Sequence, residues 1–337
     1  MMCTWLTNMC FKSGTWGEMD FEEDMNHNVM MQTNEPTVEI QPKARKLLTE
    51  KESSEITVEE IADLIYNCKS GIVFLTGAGI SEASDIPTFR DPEHGVWAKH
   101  DPREVGTRMA FQNHPERLWR ILLEMVGPDN SPIPNAGHSA LGELEKYGYA
   151  STIITQNVDD LHEQSGNNNV IHLHGNLWST ECIVCGTPGD TTHELLRDTP
   201  KKDLPPRCKK CAQKGVLKPD AVLFGEILNK NILASAVSAM ENTPLLFVLG
   251  TSARVSPATD LPVIASNAGA KVVEINMEET QLTHTCVDYY LHAPLETVLP
   301  QIVECVRRIY RESNPRSSIV ASLSKTFSRP SLLPDQS

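Results

Sequence analysis

Residues 74–90 read FLTGAGISEASDIPTFR. An apolar run from Ile72 ends at Thr76, and Gly77 and Gly79 follow directly. A buried strand that runs into a glycine turn is a common approach to the phosphates of a dinucleotide. A redox fingerprint asks for a third glycine at the sixth position of the motif. Glu82 stands there. The loop therefore leaves open whether a dinucleotide would be held here for hydride transfer or for other chemistry.

The flanking sequence supports a layered α/β fold. Thr57-Val-Glu-Glu60 is a capping-box pattern. It opens a helix with Ile61, Leu64, Ile65 and Cys68 on one face, and Gly71 is expected to end it. Short apolar runs follow at 72–75, 151–154, 170–173, 245–249 and 271–275. Each is bounded and separated from the next by helical or irregular sequence, the pattern of a parallel sheet covered by helices on both faces. A last helix uses Leu295, Val298, Leu299, Ile302, Val306 and Ile309.

The residues after each run carry the chemistry. They are Gly77-Ala78-Gly79, Gln156-Asn157-Val-Asp159, His174-Gly175, Gly250-Thr251-Ser252 and Asn276. Open α/β sheets bind ligands outside the carboxyl ends of their strands, so these positions predict one composite site.

Composition narrows the function. The chain has 337 residues, 30 Lys and Arg against 44 Asp and Glu, and a net charge of −14. That balance disfavours nucleic-acid binding and suits a basic peptide. No apolar run reaches the ~18 residues of a membrane helix, and no basic-then-apolar leader opens the chain. Of nine cysteines, Cys182, Cys185, Cys208 and Cys211 form two CxxC pairs. They point to a reducing compartment, cytoplasmic or nuclear, and to a metal. Four thiolates suit one tetrahedral Zn²⁺ with no open position, hence a structural ion. Cys3, Cys10, Cys68, Cys286 and Cys305 lack such spacing. Residues 1–52 and the Ser- and Pro-rich 313–337 read as disordered flanks of a 53–312 catalytic unit.

Taken together, these residues resemble the sirtuin family of NAD-dependent protein-lysine deacylases. The matching stretches are GAGIS (77–81), IPTFR (86–90), TQNVD (155–159), LHGNL (173–177), the CxxC pairs, KPDAVLFGE (218–226), GTS (250–252) and EIN (274–276). Asp101-Pro-Arg103 with Gly106-Thr107 resembles protist members. The resemblance implies a Rossmann-like core and a small zinc-ribbon and helical module. That module is built from a helical insertion at about 90–135 and a zinc-binding insertion at about 176–216.

The resemblance also assigns roles. Gly77, Ala78 and Gly79 would approach the diphosphate. Phe89 would shield the ribose carbon, and Arg90 would contact phosphate and ribose. Gln156 and Asn157 would bind ribose hydroxyls, and Asp159 the nicotinamide carboxamide. Gly250, Thr251, Ser252 and Asn276 would line the adenosine half. His174 would be the general base and Asn157 a second catalytic residue. Val222, Phe224, Gly225 and Glu226 would form one side of a peptide groove, with Val255 near the other and the Val222 carbonyl taking the substrate's amide proton. The implied reaction moves an acyl group from lysine to ADP-ribose and releases nicotinamide. Acyl-lysine proteins, histone tails among them, would be the partners, and the chain would act as a monomer without nucleic acid or membrane.

Relatives that remove succinyl groups carry a Tyr-x-x-Arg pair after an Asn-Pro and a Trp. Counting from Pro115 and Trp119 places Leu122 and Met125 there, an apolar acyl pocket suited to longer fatty chains. Ordinary helix packing is the competing account of both residues. Asp85 stands where the family has glycine, and Leu223 where an aromatic is frequent. An ADP-ribosyltransferase or NAD hydrolase would use the same first step. A non-catalytic scaffold would lack His174, Asn157 or Asp159, and all three are present.

Overall fold

The computed structural model describes residues 52–88, 95–127 and 132–314. The expectations for 1–52 and 313–337 lie outside these residues but for Glu52, Ser313 and Asn314, and so do those for Phe89 and Arg90.

The described strands are β1 (Ser54–Glu55), β2 (Ile72–Thr76), β3 (Ala150–Thr155), β4 (Val170–His172), β5 (Gly175–Cys182), β6 (Leu217–Ala221), β7 (Leu245–Leu249), β8 (Lys271–Asn276) and β9 (Tyr289–His292). Seven of them form one parallel sheet in the order β1-β9-β8-β7-β2-β3-β4. The five apolar runs of the sequence are β2, β3, β4, β7 and β8. The edge strands β1 and β9 are additions. β1 has two residues and β9 is half-buried, so neither carries an aliphatic run.

Side chains of successive strand residues point to opposite faces. Ile72 and Phe74 of β2 meet Phe247 and Leu249 of β7, and Phe74 stacks on Phe247 with ring centroids 5.0 Å apart. The helices Val58–Cys68, Ala136–Lys146 and Leu295–Ser313 cover this face through Ile61, Ile65, Leu141, Leu144, Val298 and Ile302. Val73 and Leu75 lie on the other face with Leu246 and Val248, under the helices Lys230–Asn242 and Leu261–Ala268. Every β2 residue is buried because both faces are roofed. The capping box of Thr57 and Glu60 is present as expected, but the first helix ends at Cys68. Lys69 already takes φ 65°, two residues before Gly71 at φ 83°.

The sheet order fixes where a ligand can sit. From β2 the chain moves outward to β3 and β4, and from β7 it moves the opposite way to β8 and β9. β2 and β7 are neighbours, so the connections diverge between them and open a crevice beyond their carboxyl ends.

A second apolar core forms outside the large sheet. Phe111, Trp119, Leu122 and Val126 of the helical insertion share one apolar cluster with Leu177, Leu195, Leu196, Leu204 and Val216 of the zinc-binding insertion and with Leu217 and Leu223 just after it. Two separate excursions of the chain thus form a single core. β5 and β6 pair antiparallel within it. Trp119 is fully buried, and its indole N–H donates to the Leu217 carbonyl at 3.0 Å. Trp119→Phe leaves that carbonyl unpaired and a gap beside it, so a loss of about 1–3 kcal/mol is expected in denaturant unfolding. An unchanged midpoint would show that the indole is not the pin between the insertions.

Candidate active site and metal centre

The β2 and β7 ends are held against each other by backbone. The Gly77 N–H donates to the Leu249 carbonyl at 3.0 Å and the Gly79 N–H to the Gly250 carbonyl at 2.9 Å. A Cβ on Gly79 would lie 2.9 Å from Gly250 Cα, and one on Gly250 would lie 2.9 Å from Gly79. These glycines are therefore demanded first by strand-end packing, and only then by any phosphate. Asp85 closes the loop at φ 62° in the left-handed region, where glycine is the easier residue and Asp is tolerated.

The other strand ends join this pair. Gln156 Nε2 donates to Thr251 Oγ1 at 2.9 Å, and Asn276 Nδ2 to the Thr251 carbonyl at 2.8 Å. Asn157 is 6% exposed and spends its amide hydrogens on the Gly77 carbonyl and Ser81 Oγ, each at 3.1 Å. Its Oδ1 is left for a ligand, so toward a ribose hydroxyl this side chain can only accept.

Ser81 sits at the centre. Its hydroxyl donates to Asp159 Oδ2 at 3.0 Å and lies 3.4 Å from His138 Nε2. The Asn135 N–H points at His138 Nδ1, so Nε2 carries the proton and gives it to Ser81. Burial pushes the His138 pKa down to about 4 and that of His162 well below its usual value. Asp159 is pushed up by burial, against the pull of the Leu161 N–H and Ser81. Sequence reading gave Ser81 and His138 no role. The signal was local: Ser81 closes the glycine turn, and His138 is the third residue of a helix capped by Asn135.

His174 lies on the segment leaving β4. Its Nδ1 is 3.1 Å from the Gln156 carbonyl. A carbonyl only accepts, so Nδ1 bears the hydrogen and Nε2 keeps a free lone pair. Burial lowers its pKa, more than the Gln156 bond raises it, so the ring is a neutral acceptor near pH 7.

The residues expected to line one side of a peptide groove begin directly after β6. The Phe224 N–H donates to the Gly106 carbonyl and the Arg108 N–H to the Phe224 carbonyl, both at 2.9 Å. Phe224 is therefore tied to the helical insertion. Glu226 braces the turn. Its carboxylate takes the Leu223 N–H at 3.0 Å and pairs with Lys218 Nζ at 2.9 Å. The Val222 N–H is spent on the His174 carbonyl. Gly225 turns at φ 86°. Val255 is half-buried, and its carbonyl accepts from Thr259. Ser252 is exposed.

The two acyl-pocket candidates part company. Met125 lines a cavity of about 450 Å³ with Ile86, Pro87, Val96, Lys99 and Ile121. Leu122 is 6% exposed and packs among Phe111, Trp119 and Leu223, as a helix residue facing its own core does.

The four CxxC sulfurs lie within 4.8 Å of one another. Cys182–Cys211 and Cys185–Cys208 are each 3.9 Å apart. A tetrahedron of ~2.3 Å Zn–S bonds has edges of about 3.8 Å, so the set fits zinc and leaves no position for a substrate. The backbone is shaped for it. A Cβ on Gly215 would lie 2.6 Å from Cys182 Sγ, and the Gly215 N–H points at Cys211 Sγ at 3.3 Å.

Comparison with known proteins agrees. A sequence model of the Sir2 family matches residues 77–257. An NAD-dependent protein deacylase 2 of Pyrobaculum aerophilum is 40% identical over 251 residues, 74% of this chain and 96% of the relative. The chain belongs to the Sir2 family.

A solved Sir2 homolog–NAD complex is 37% identical with a TM-score of 0.68, covering 77% of this chain and 98% of that one. A Sir2–p53 peptide–NAD+ structure is 32% identical with a TM-score of 0.64, covering 77% and 99%. In this Sir2 chain the strand-end residues named from sequence do converge on one crevice. Gly77, Gly79, Gln156, Asn157, His174, Gly250, Thr251 and Asn276 are joined by the hydrogen bonds above, and Ser81 links Asp159 to them. Ala78 lies on the turn between the two glycines.

The closed thiolate set makes a prediction. Cys182→Ser is expected to lose stoichiometric zinc and unfold early, because structural zinc contributes about 10–16 kcal/mol of folding free energy in isolated peptides. Metal analysis with a melting curve checks it. A metal-free variant that melts like the parent would refute the structural role.

Proposed function

We propose that this chain removes acyl groups from protein lysine side chains, with NAD consumed as co-substrate. The observation that carries the reading is His174 Nδ1 tied to the Gln156 carbonyl, which leaves Nε2 as a base beside the convergent strand ends. Bound NAD supplies an electrophilic ribose carbon with nicotinamide as the leaving group. The chain's own part is to orient and to move protons. Gln156 and Asn157 take ribose hydroxyls through their amide oxygens. Asp159, steadied by Ser81 and the Leu161 N–H, accepts from the carboxamide. His174 Nε2 removes a proton from the ribose diol, work suited to a neutral imidazole at physiological pH. Val222, Phe224 and Gly225, with Val255 opposite, seat the peptide. Zinc holds the small module together. Acting as a monomer, the acidic chain attracts basic acyl-lysine segments such as histone tails.

Mass spectrometry of a mixture of enzyme, NAD and acetyl-lysine peptide tests this. Freed lysine and O-acyl-ADP-ribose are expected. ADP-ribosylated peptide, or free ADP-ribose with lysine still acylated, would give the site to the alternative readings. His174→Ala is expected to cut turnover by at least roughly 10²–10⁴-fold while NAD still binds. Near-parental turnover would remove His174 from the mechanism.

The cavity beside Met125 bears on the acyl group. Its apolar wall of Ile86, Pro87, Val96, Ile121 and Met125 suits an aliphatic chain at about 0.8 kcal/mol per buried CH₂. Lys99 and His100 also face it, but Glu82, Asp85 and Glu124 outweigh them, so an anionic acyl group gains no net counter-charge. Acetyl- and myristoyl-lysine are expected to be good substrates, the latter at equal or higher kcat/KM, and succinyl-lysine a poor one. If succinyl-lysine turned over fastest on a common peptide, this account of the cavity would fail.

A further inference from the structure

The chain that leaves β3 runs into the crevice with every carbonyl from 155 to 158 held. Thr155 takes the Leu173 N–H at 2.9 Å, Gln156 takes His174 Nδ1 at 3.1 Å, Asn157 takes His172 Nδ1 at 3.4 Å, and Val158 takes the Leu177 N–H at 3.0 Å. Two of these donors are imidazoles two residues apart, one at the end of β4 and one in the turn that follows. The reaction accounts for His174. It does not account for His172.

His172 has a second partner. Its Nε2 lies 2.6 Å from Glu163 Oε1, a short contact of the charge-assisted kind. A carbonyl and a carboxylate can only accept. The ring is thus held between them through both of its nitrogens. The ring is edge-on to Trp178, with centroids 4.7 Å apart and planes at 84°, and its side chain is 9% exposed.

We propose that His172, braced by Glu163, is a positioning residue that locks the Asn157 carbonyl and thereby aims the Gln156 and Asn157 side chains at the ribose of NAD. The assignment rests on reading this crevice as an NAD site. The mechanism is geometric. The peptide unit after Asn157 is a rigid plane. Release its carbonyl, and the plane can rotate, carrying Asn157 on one side and the approach to Asp159 on the other. Glu163 never approaches the reacting atoms. It acts only through the ring.

Three full-length variants separate this role from packing. His172→Phe keeps a ring beside Trp178 without donors. His172→Asn keeps an N–H near the position of Nδ1. Glu163→Gln keeps an acceptor of the same shape without its charge. Calorimetric Kd for ADP-ribose, KM for acetyl-lysine peptide and the melting temperature are measured for each. ADP-ribose binding is expected to weaken about tenfold in His172→Phe and about threefold or more in Glu163→Gln, the scale of one lost charge-assisted hydrogen bond. His172→Asn should stay within about threefold of the parent, and peptide KM should not move. Parental ADP-ribose affinity in both His172→Phe and Glu163→Gln overturns the proposal, and so does His172→Asn as damaged as His172→Phe. If His172→Phe does not fold, Glu163→Gln decides. A parent that binds ADP-ribose but deacylates no peptide defeats the functional reading alone, and the affinities still judge the clamp. A parent that binds no ADP-ribose overturns both.

Discussion

The contact between Gly79 and Gly250 governs the rest of the site. Here the ends of β2 and β7 approach until a single Cβ on either side would clash with the other's main chain. Because the sheet's connections diverge between these strands, their turns form the floor of the crevice. The Leu249 and Gly250 carbonyls take the Gly77 and Gly79 N–H groups, so the turn cannot drift outward. Everything polar above this floor is referenced to it. Asn157 bonds the Gly77 carbonyl, Gln156 bonds Thr251, and Asn276 bonds the Thr251 carbonyl. Four strands reach one place because two of them touch without side chains.

Polar order in the crevice follows from counting donors. Ser81 Oγ receives hydrogens from Asn157 and His138, so its own hydrogen goes to Asp159. The neutral His138 ring, held neutral by burial, sets the direction of that chain. His174 gives its Nδ1 hydrogen to Gln156 and keeps a lone pair. The first direction is set by the Asn135 N–H, which can only donate, and the second by the Gln156 carbonyl, which can only accept.

Much of this was legible in the sequence, for physical reasons. A central parallel strand is buried on both faces and so is mostly apolar, which marks β2 and β7 throughout and β3 and β8 over their buried stretches. The site residues follow those strands directly, and four thiolates spaced as two CxxC pairs leave little choice of use. β1 and β9 were illegible because edge strands are short and half-solvated. The fate of Glu226 was illegible because its partner, Lys218, becomes a neighbour only when the chain turns at Gly225. Leu122 and Met125 sit three apart on one helix and both pack against its core, but only Met125 also lines the cavity, which spacing alone does not tell. Ser81, His138 and His172 act through other side chains, so no motif spacing marks them.

The shared core of the small module has a consequence for how such proteins can be rebuilt. The helical and zinc-binding excursions leave the sheet at different points of the chain, yet they bury one cluster, pinned by Trp119 on Leu217 and by Phe224 between Gly106 and Arg108. Neither excursion is a transplantable unit. A chimera that borrows the thiolate ribbon of one relative and the helices of another would inherit two half-interfaces, mismatched where Trp119 meets the Leu217 carbonyl. The natural cassette for exchange is the pair, carried together with the turn at 222–226 that stitches them.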